Sequence, residues 1–154
     1  MVCTDGREFG ACITREEIIN GKTDQRVIKE FLEALKTIDV LVGYYSTGFD
    51  IPFMRTRAEM LGYNFPSFGT VKHFDLYYLI RGKFALTRKS LGVACEALGL
   101  GEKGHVPVAE WNKARIGNAK AIGKIYKYNK QDVHITMDLF QRTKKYRKLT
   151  RKSI

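Results

Sequence analysis

The sequence predicts an α/β domain, a mixed β-sheet flanked by helices. Three observations carry that prediction. Apolar runs of strand length alternate with segments of helical periodicity along the chain. The run Asp39-Val40-Leu41-Val42-Gly43-Tyr44 is nearly all apolar, as in a strand covered on both faces. The 154 residues, 44% of them hydrophobic, suffice for one domain with a real core. The same balance excludes collagen-like, low-complexity and wholly disordered classes.

The elements follow in order. Val2-Cys3, the turn Thr4-Asp5-Gly6-Arg7 and the alternating Phe9, Ala11 and Ile13 predict two short strands about a turn. Thr23 is placed to cap a helix reaching about Lys36, with Val27, Ile28, Phe31, Leu32 and Leu35 on one stripe. After the strand at 39–44 comes a loop, Tyr45-Ser46-Thr47-Gly48. A helix then runs from about Ile51 to Leu61, with Pro52 in its first turn, where the missing N–H does no harm. Val71 to Phe74 reads as another short strand, and Asp75 to Arg81 and Lys89 to Leu98 read as helices. Gly99 is placed to end the second of these. Residues 99–118, punctuated by glycine and holding Pro107 and Trp111, predict a long loop. A last helix runs from near Asn118 to about Lys145, its stripe formed by Ile122, Ile125, Val133, Ile135, Met137, Leu139 and Phe140. No internal repeat is found. The expected organisation is a domain over 1–140 and a basic tail over 141–154.

Charge is the unusual feature. Lys and Arg number 27 against 16 Asp and Glu, a formal net charge of +11. The last fourteen residues hold seven basic side chains and no acid: Arg142, Lys144, Lys145, Arg147, Lys148, Arg151 and Lys152. A basic body with a more basic tail suits a polyanion such as nucleic acid, the alternative being a solubilising tail. The cysteines, Cys3, Cys12 and Cys95, have neither zinc-site spacing nor an even count, so a reducing cytoplasm fits best. No apolar run approaches the ~18–20 residues of a membrane helix, and the first residues lack a signal peptide's apolar core.

Few carboxylates are placed for chemistry. Asp50 follows Gly48 and Phe49 at the junction of a strand's loop with a helix start, where α/β sheets gather ligands. It reads either as a site carboxylate or as a helix cap. Asp132 falls within the apolar stripe of the last helix, where an unpaired buried charge costs several kcal/mol and calls for a metal or a cationic partner. Tyr128, four residues earlier, shares its face, so a plain Tyr–Asp hydrogen bond is the alternative. Asp75 reads as a supporting carboxylate or an N-cap. His73 and His134 stand apart from any Cys/His cluster, and His134 points away from Asp132. His105 and Trp111 lie in the long loop, where Trp111 is expected to anchor the loop to the core.

These residues carry a resemblance. Tyr44 to Leu61, YYSTGFDIPFMRTRAEML, resembles the second motif of DnaQ-like 3′–5′ exonucleases: a small polar loop, Phe-Asp-hydrophobic-Pro-Phe, then an Arg-containing helix. Tyr128-Asn129-Lys130-Gln131-Asp132-Val133 resembles the third motif, Y-x-x-x-D, of the tyrosine subtype. Asp75-Leu76 and the segment Lys89 to Ala94 match the connecting helices. The resemblance spans about residues 10 to 142 and is closest to the exonuclease domains of family B DNA polymerases. It implies a ribonuclease H-like fold and hydrolysis of phosphodiester bonds at DNA or RNA ends, with two Mg²⁺ or Mn²⁺ ions held by four carboxylates. It makes Asp50 and Asp132 metal-associated carboxylates and Tyr128 the group that orients the attacking water. Gly48 and Phe49 would lie along the terminal nucleotide, and the expected partner is a single-stranded 3′ end. Arg142, Lys144, Lys145, Arg147 and Lys148 are expected to contact nucleic acid. A polymerase or helicase partner is left open.

The family's first motif, D-x-E, puts two carboxylates on one face of the opening strand. No D-x-E precedes Asp50 here, and Asp5 and Glu8, three apart, would face opposite ways on a strand. The expectation is a chain without the family's first strand: truncated, split or degenerate. Catalysis by this chain alone is then in question, and a non-catalytic nucleic-acid-binding relic is the alternative function.

Overall fold

Parallel strands at the centre, helices on both sides, set the architecture. The computed structural model describes residues 1–22 and 24–147. Strand β1 (Val40–Gly43) pairs in parallel with β2 (Lys72–Asp75), in a register that sets Val40 opposite Lys72 and Gly43 opposite Asp75. This is the one named sheet among the described residues. The antiparallel element expected at the N-terminus is reduced to a single bridge, Val2 to Glu8, closed over the turn at Gly6 (φ +89°). Phe9, Ala11 and Ile13 form no strand with it.

The helices are α1 (Arg15–Ile19), α2 (Gln25–Leu35), α3 (Asp50–Met60), α4 (Leu76–Lys83), α5 (Leu91–Ala97), α6 (Val108–Arg115) and α7 (Ala119–Thr143), followed by a 3₁₀ turn at Lys144–Tyr146. Two of them correct the sequence reading. Thr14 and Glu17 close a capping box that starts α1, a helix the reading left out. Helix α6 fills the middle of the expected 99–118 loop and carries Trp111 on an exposed surface rather than into the core. The expected cap Thr23 lies outside the described residues. Its neighbour Asp24 stands at the N-cap of α2 but makes no capping bond with its side chain, which is bridged by Arg57 of α3 at 2.6 Å. Gly99 ends α5 as expected, in the left-handed region at φ +69°.

Two apolar clusters sit on either side of the strands. Ile28, Leu32 and Leu35 of α2 pack with Ile51 and Ala58 of α3, Phe65 and Val71. Leu76, Leu79 and Ile80 of α4 pack with Leu91, Ala94 and Cys95 of α5 and with Ile135 and Leu139 of α7. Leu41 of β1 joins the first cluster and its neighbour Val42 joins the second. The period-2 alternation of a strand thus feeds both layers. Because β1 and β2 run the same way, their C-terminal ends lie side by side, and the chain leaves both toward the same edge.

Helix α7 runs through residue 141 without a break. Thr143 is fully buried and its hydroxyl donates to the Leu139 carbonyl at 2.6 Å. Beyond it the chain folds back on the second cluster. The Tyr146 ring meets Phe84 edge-on at 5.5 Å, and the Arg147 guanidinium lies 5.5 Å from the Phe74 ring centroid. No helix among the described residues is long and apolar enough to cross a membrane.

Candidate active site

Asp75 organises the edge where the strands end. Its carboxylate is buried at the C-terminus of β2 and accepts three backbone N–H groups. Tyr77 N donates at 3.0 Å, which caps α4. Tyr45 N and Thr47 N donate at 2.8 and 2.9 Å, which ties the loop after β1 to the end of β2. The two readings of Asp75 therefore both hold: it caps a helix and it supports the loop that delivers Gly48, Phe49 and Asp50. Beneath the same loop Ser46 Oγ and His73 Nε2 form a buried hydrogen bond of 2.8 Å. His73 thus serves the loop.

That loop is tightly built. Tyr45 adopts φ +59°, uncommon for a residue with a side chain. Its ring closes on Gly48, where a Cβ would stand only 2.6 Å from Tyr45 Cζ. Glycine is required there by contact. Phe49 occupies the N-cap of α3 without a capping bond, and Asp50 is the first helical residue. Asp50 is exposed as a residue, yet its carboxyl is pushed above the ordinary carboxylate range. Desolvation by the surrounding protein is the main cause, reinforced by the nearby Asp75 charge. The exposed rings of Phe49 and Phe53 stack at 6.0 Å beside it.

Tyr128 and Asp132 share one face of α7, as their spacing requires, and a third group joins them. The Lys103 ammonium lies 3.0 Å from Asp132 Oδ2 and 5.5 Å from the centroid of the Tyr128 ring. Burial by itself works against the Lys103 charge, but hydrogen bonding to Tyr128 and Asp132 outweighs it and raises the lysine above its ordinary value. The cationic partner that a buried Asp132 demanded is therefore Lys103, a residue that the sequence reading did not single out. The other carboxylate oxygen, Asp132 Oδ1, is buried and has no hydrogen-bond partner. An orphaned carboxylate oxygen is the donor type a hard divalent cation takes, so Asp132 fits such an ion. Among the described residues no group of three or more His, Cys, Asp and Glu side chains is arranged to hold a metal.

The structure thus brings Tyr128 and Asp132 together with Lys103. It brings Gly48, Phe49 and Asp50 together at the sheet edge with Asp75. Asp5 and Glu8 are engaged elsewhere. Asp5 pairs with Arg7 at 2.8 Å on the hairpin. Glu8 pairs with Lys130 at 2.9 Å and lies 3.3 Å from His134. Lys130 and His134 are each two residues from Asp132, on the far side of the helix. Cys95, buried against α7, has its thiol pushed up to about 11 by desolvation and by the Asp138 and Asp132 charges, which keeps it protonated and inert. Of the basic side chains expected to meet nucleic acid, Arg142 is exposed, Lys144 donates to Gln141, Lys145 lies over Tyr146 and Arg147 over Phe74. Lys148 lies outside the described residues.

Comparison with known proteins gives this arrangement a context. The chain is similar to a DNA polymerase of Pyrococcus glycovorans, 28% identical over 76% of this chain and 18% of that protein. It is similar to the DNA polymerases of Thermococcus kodakarensis (27% identical, 76% of this chain, 8% of that protein) and Thermococcus gorgonarius (26%, 76% and 18%). The chain spans less than a fifth of these curated relatives. A family profile matches from the hairpin to the 3₁₀ turn, residues 2–144, and with the helix-flanked parallel strands just described it shows that the chain belongs to the RNase_H superfamily.

Proposed function

We propose that this chain is a metal-dependent 3′–5′ exonuclease of the DnaQ-like tyrosine subtype, acting on single-stranded DNA or RNA ends. The observation that carries the reading is the pairing of Tyr128 with a half-buried Asp132 whose Oδ1 lacks a partner. Similarity to DNA polymerases supports nucleic acid as the substrate. Asp132 and Asp50 are the carboxylates that would hold Mg²⁺ or Mn²⁺, and a bound divalent ion supplies a water nucleophile at neutral pH and charge stabilisation on the leaving oxygen.

The chain's own residues do the rest. The Tyr128 phenol, on the same face as Asp132, is positioned to hydrogen-bond a water beside that carboxylate. The contact of Tyr45 with Gly48 keeps the loop low, which leaves room for a sugar–phosphate to approach the backbone. Phe49 and Phe53 offer an exposed stacked pair on which a terminal base can rest, an interaction of about 1–3 kcal/mol per base. The test is Mn²⁺-dependent release of mononucleotides from 5′-labelled single-stranded DNA. We expect stepwise shortening from the 3′ end that Asp132→Asn lowers by at least about 100-fold.

One observation favours a second reading, a non-catalytic nucleic-acid-binding module. The Lys103 ammonium already neutralises Asp132, and no three-carboxylate group is formed among the described residues. That reading expects binding without hydrolysis, weakening with salt at a slope of about −0.7 per phosphate contact on single strands. Replacing Arg142, Lys144 and Lys145 by Gln should flatten the slope while leaving the buried Thr143 in place.

A further inference from the structure

The loop between α5 and α6 places a lysine, 29 positions from Asp132 in the chain, on the centre of the Tyr128–Asp132 pair. The placement is built. A Cβ added at Gly92 of α5 would meet Lys103 Cβ at 3.3 Å, and one added at Gly104 would meet Tyr128 Cδ2 at 3.5 Å. The segment is thus wedged between α5 and α7 where glycine lets backbone and side chain come close. Gly99 and Gly101, at φ +69° and +98°, turn the chain into that wedge. The Lys103 ammonium takes Oδ2 of Asp132 and leaves Oδ1 buried without a partner. Its cost is plain. An ammonium at 3.0 Å from one carboxylate oxygen repels any divalent cation approaching the other. Next to it lies an open hollow of about 310 Å³, which Lys103 itself lines together with Glu96 and Glu102. The side chain therefore has room to withdraw toward two other carboxylates.

We propose that Lys103 is the site's own cation, a specificity-determining residue that competes with a divalent metal for Asp132 and holds the site closed to metal until it swings aside. The inference rests on reading Asp132 as a metal carboxylate, and it deepens that reading by naming what a metal must displace. It makes metal affinity, rather than substrate binding, the property that Lys103 controls.

The experiment is Mn²⁺ titration of the full chain, read by the loss of the free-ion paramagnetic resonance signal. Lys103→Met should bind Mn²⁺ at least about tenfold more tightly than wild type. Lys103→Arg, which keeps the charge, should bind like wild type. The gain should vanish in Lys103→Met combined with Asp132→Asn. Lys103→Gln takes the place of Lys103→Met if the latter does not fold. Equal or weaker Mn²⁺ binding by the uncharged variant overturns the inference. So does a gain that survives Asp132→Asn, or a Lys103→Arg that gains as Lys103→Met does. Nucleotide release is not the readout, so an inactive protein with the expected Mn²⁺ gain would sink the nuclease reading and leave this inference standing.

Discussion

Two carboxylates near the end of the sheet behave in opposite ways. Asp75 is satisfied by three N–H groups, and removing one acceptor from it leaves donors facing a donor. Asp75→Asn should cost about 1–3 kcal/mol, measured by urea unfolding, because the amide NH₂ opposes either Thr47 N–H or the pair from Tyr45 and Tyr77. An unchanged midpoint would show that the loop is held by other contacts. Asp50 is the reverse case. Its carboxyl is raised above its unfolded value, chiefly by desolvation, so its ionisation works against folding as pH climbs past the ordinary Asp range. Asp50→Asn should therefore raise Tm by a few degrees at pH 7, and the gain should disappear at pH 3, where both forms are neutral. A carboxylate kept at a cost in stability is what a functional role predicts, and a lower Tm at pH 7 would argue that Asp50 is structural. Asp50, Tyr128 and Asp132 were legible in the sequence because each sits on a periodic element whose face is set by spacing. Lys103 was not, because its loop has no period and only the fold brings it to α7.

At the scale of the element, helices were read where they bury a stripe and missed where they do not. Helix α6 buries no residue, and its start at Pro107 has no capping side chain, so nothing periodic marks it. Helix α1 is also without a buried residue, but it did carry a signal in Thr14-x-x-Glu17. Glu17 is held by the Arg26 guanidinium and by Thr14 N–H, which lowers its carboxyl to about 2. A depressed acid adds stability that is in full force above its ordinary value of 4.5 and lost as pH falls through about 2. Glu17→Gln should therefore flatten the acid limb of the stability curve by up to about one proton between those values. Thermal melts across that range check it, and a parallel limb would mean that Arg26 gains nothing from Glu17 in the folded chain. Helix α7 carries the site on one face and the Glu8 clasp on the other, so it ties the N-terminal hairpin to the chemistry by position alone.

At the scale of the molecule, two clusters flank one pair of strands, and the site sits where the strands end and α7 passes. The α/β class was legible because the apolar run at 39–44 and the helical stripes are local facts. The number of strands was not, since the hairpin's alternating residues found no ladder to join. The charge of +11 gains a location from the fold. Its basic residues at 142–147 leave α7 one to three turns beyond Asp132 and fold back toward β2. The central claim is that Asp132, with Asp50, serves divalent-ion-dependent removal of nucleotides from a 3′ end. The most direct measurement follows 5′-labelled single-stranded DNA incubated with the full chain and Mn²⁺, beside Asp132→Asn and a chelator control. The account predicts a ladder shortening from the 3′ end in the wild type alone, absent with chelator and at least about 100-fold slower in the variant. Release that is equal in Asp132→Asn, or indifferent to the chelator, would contradict it.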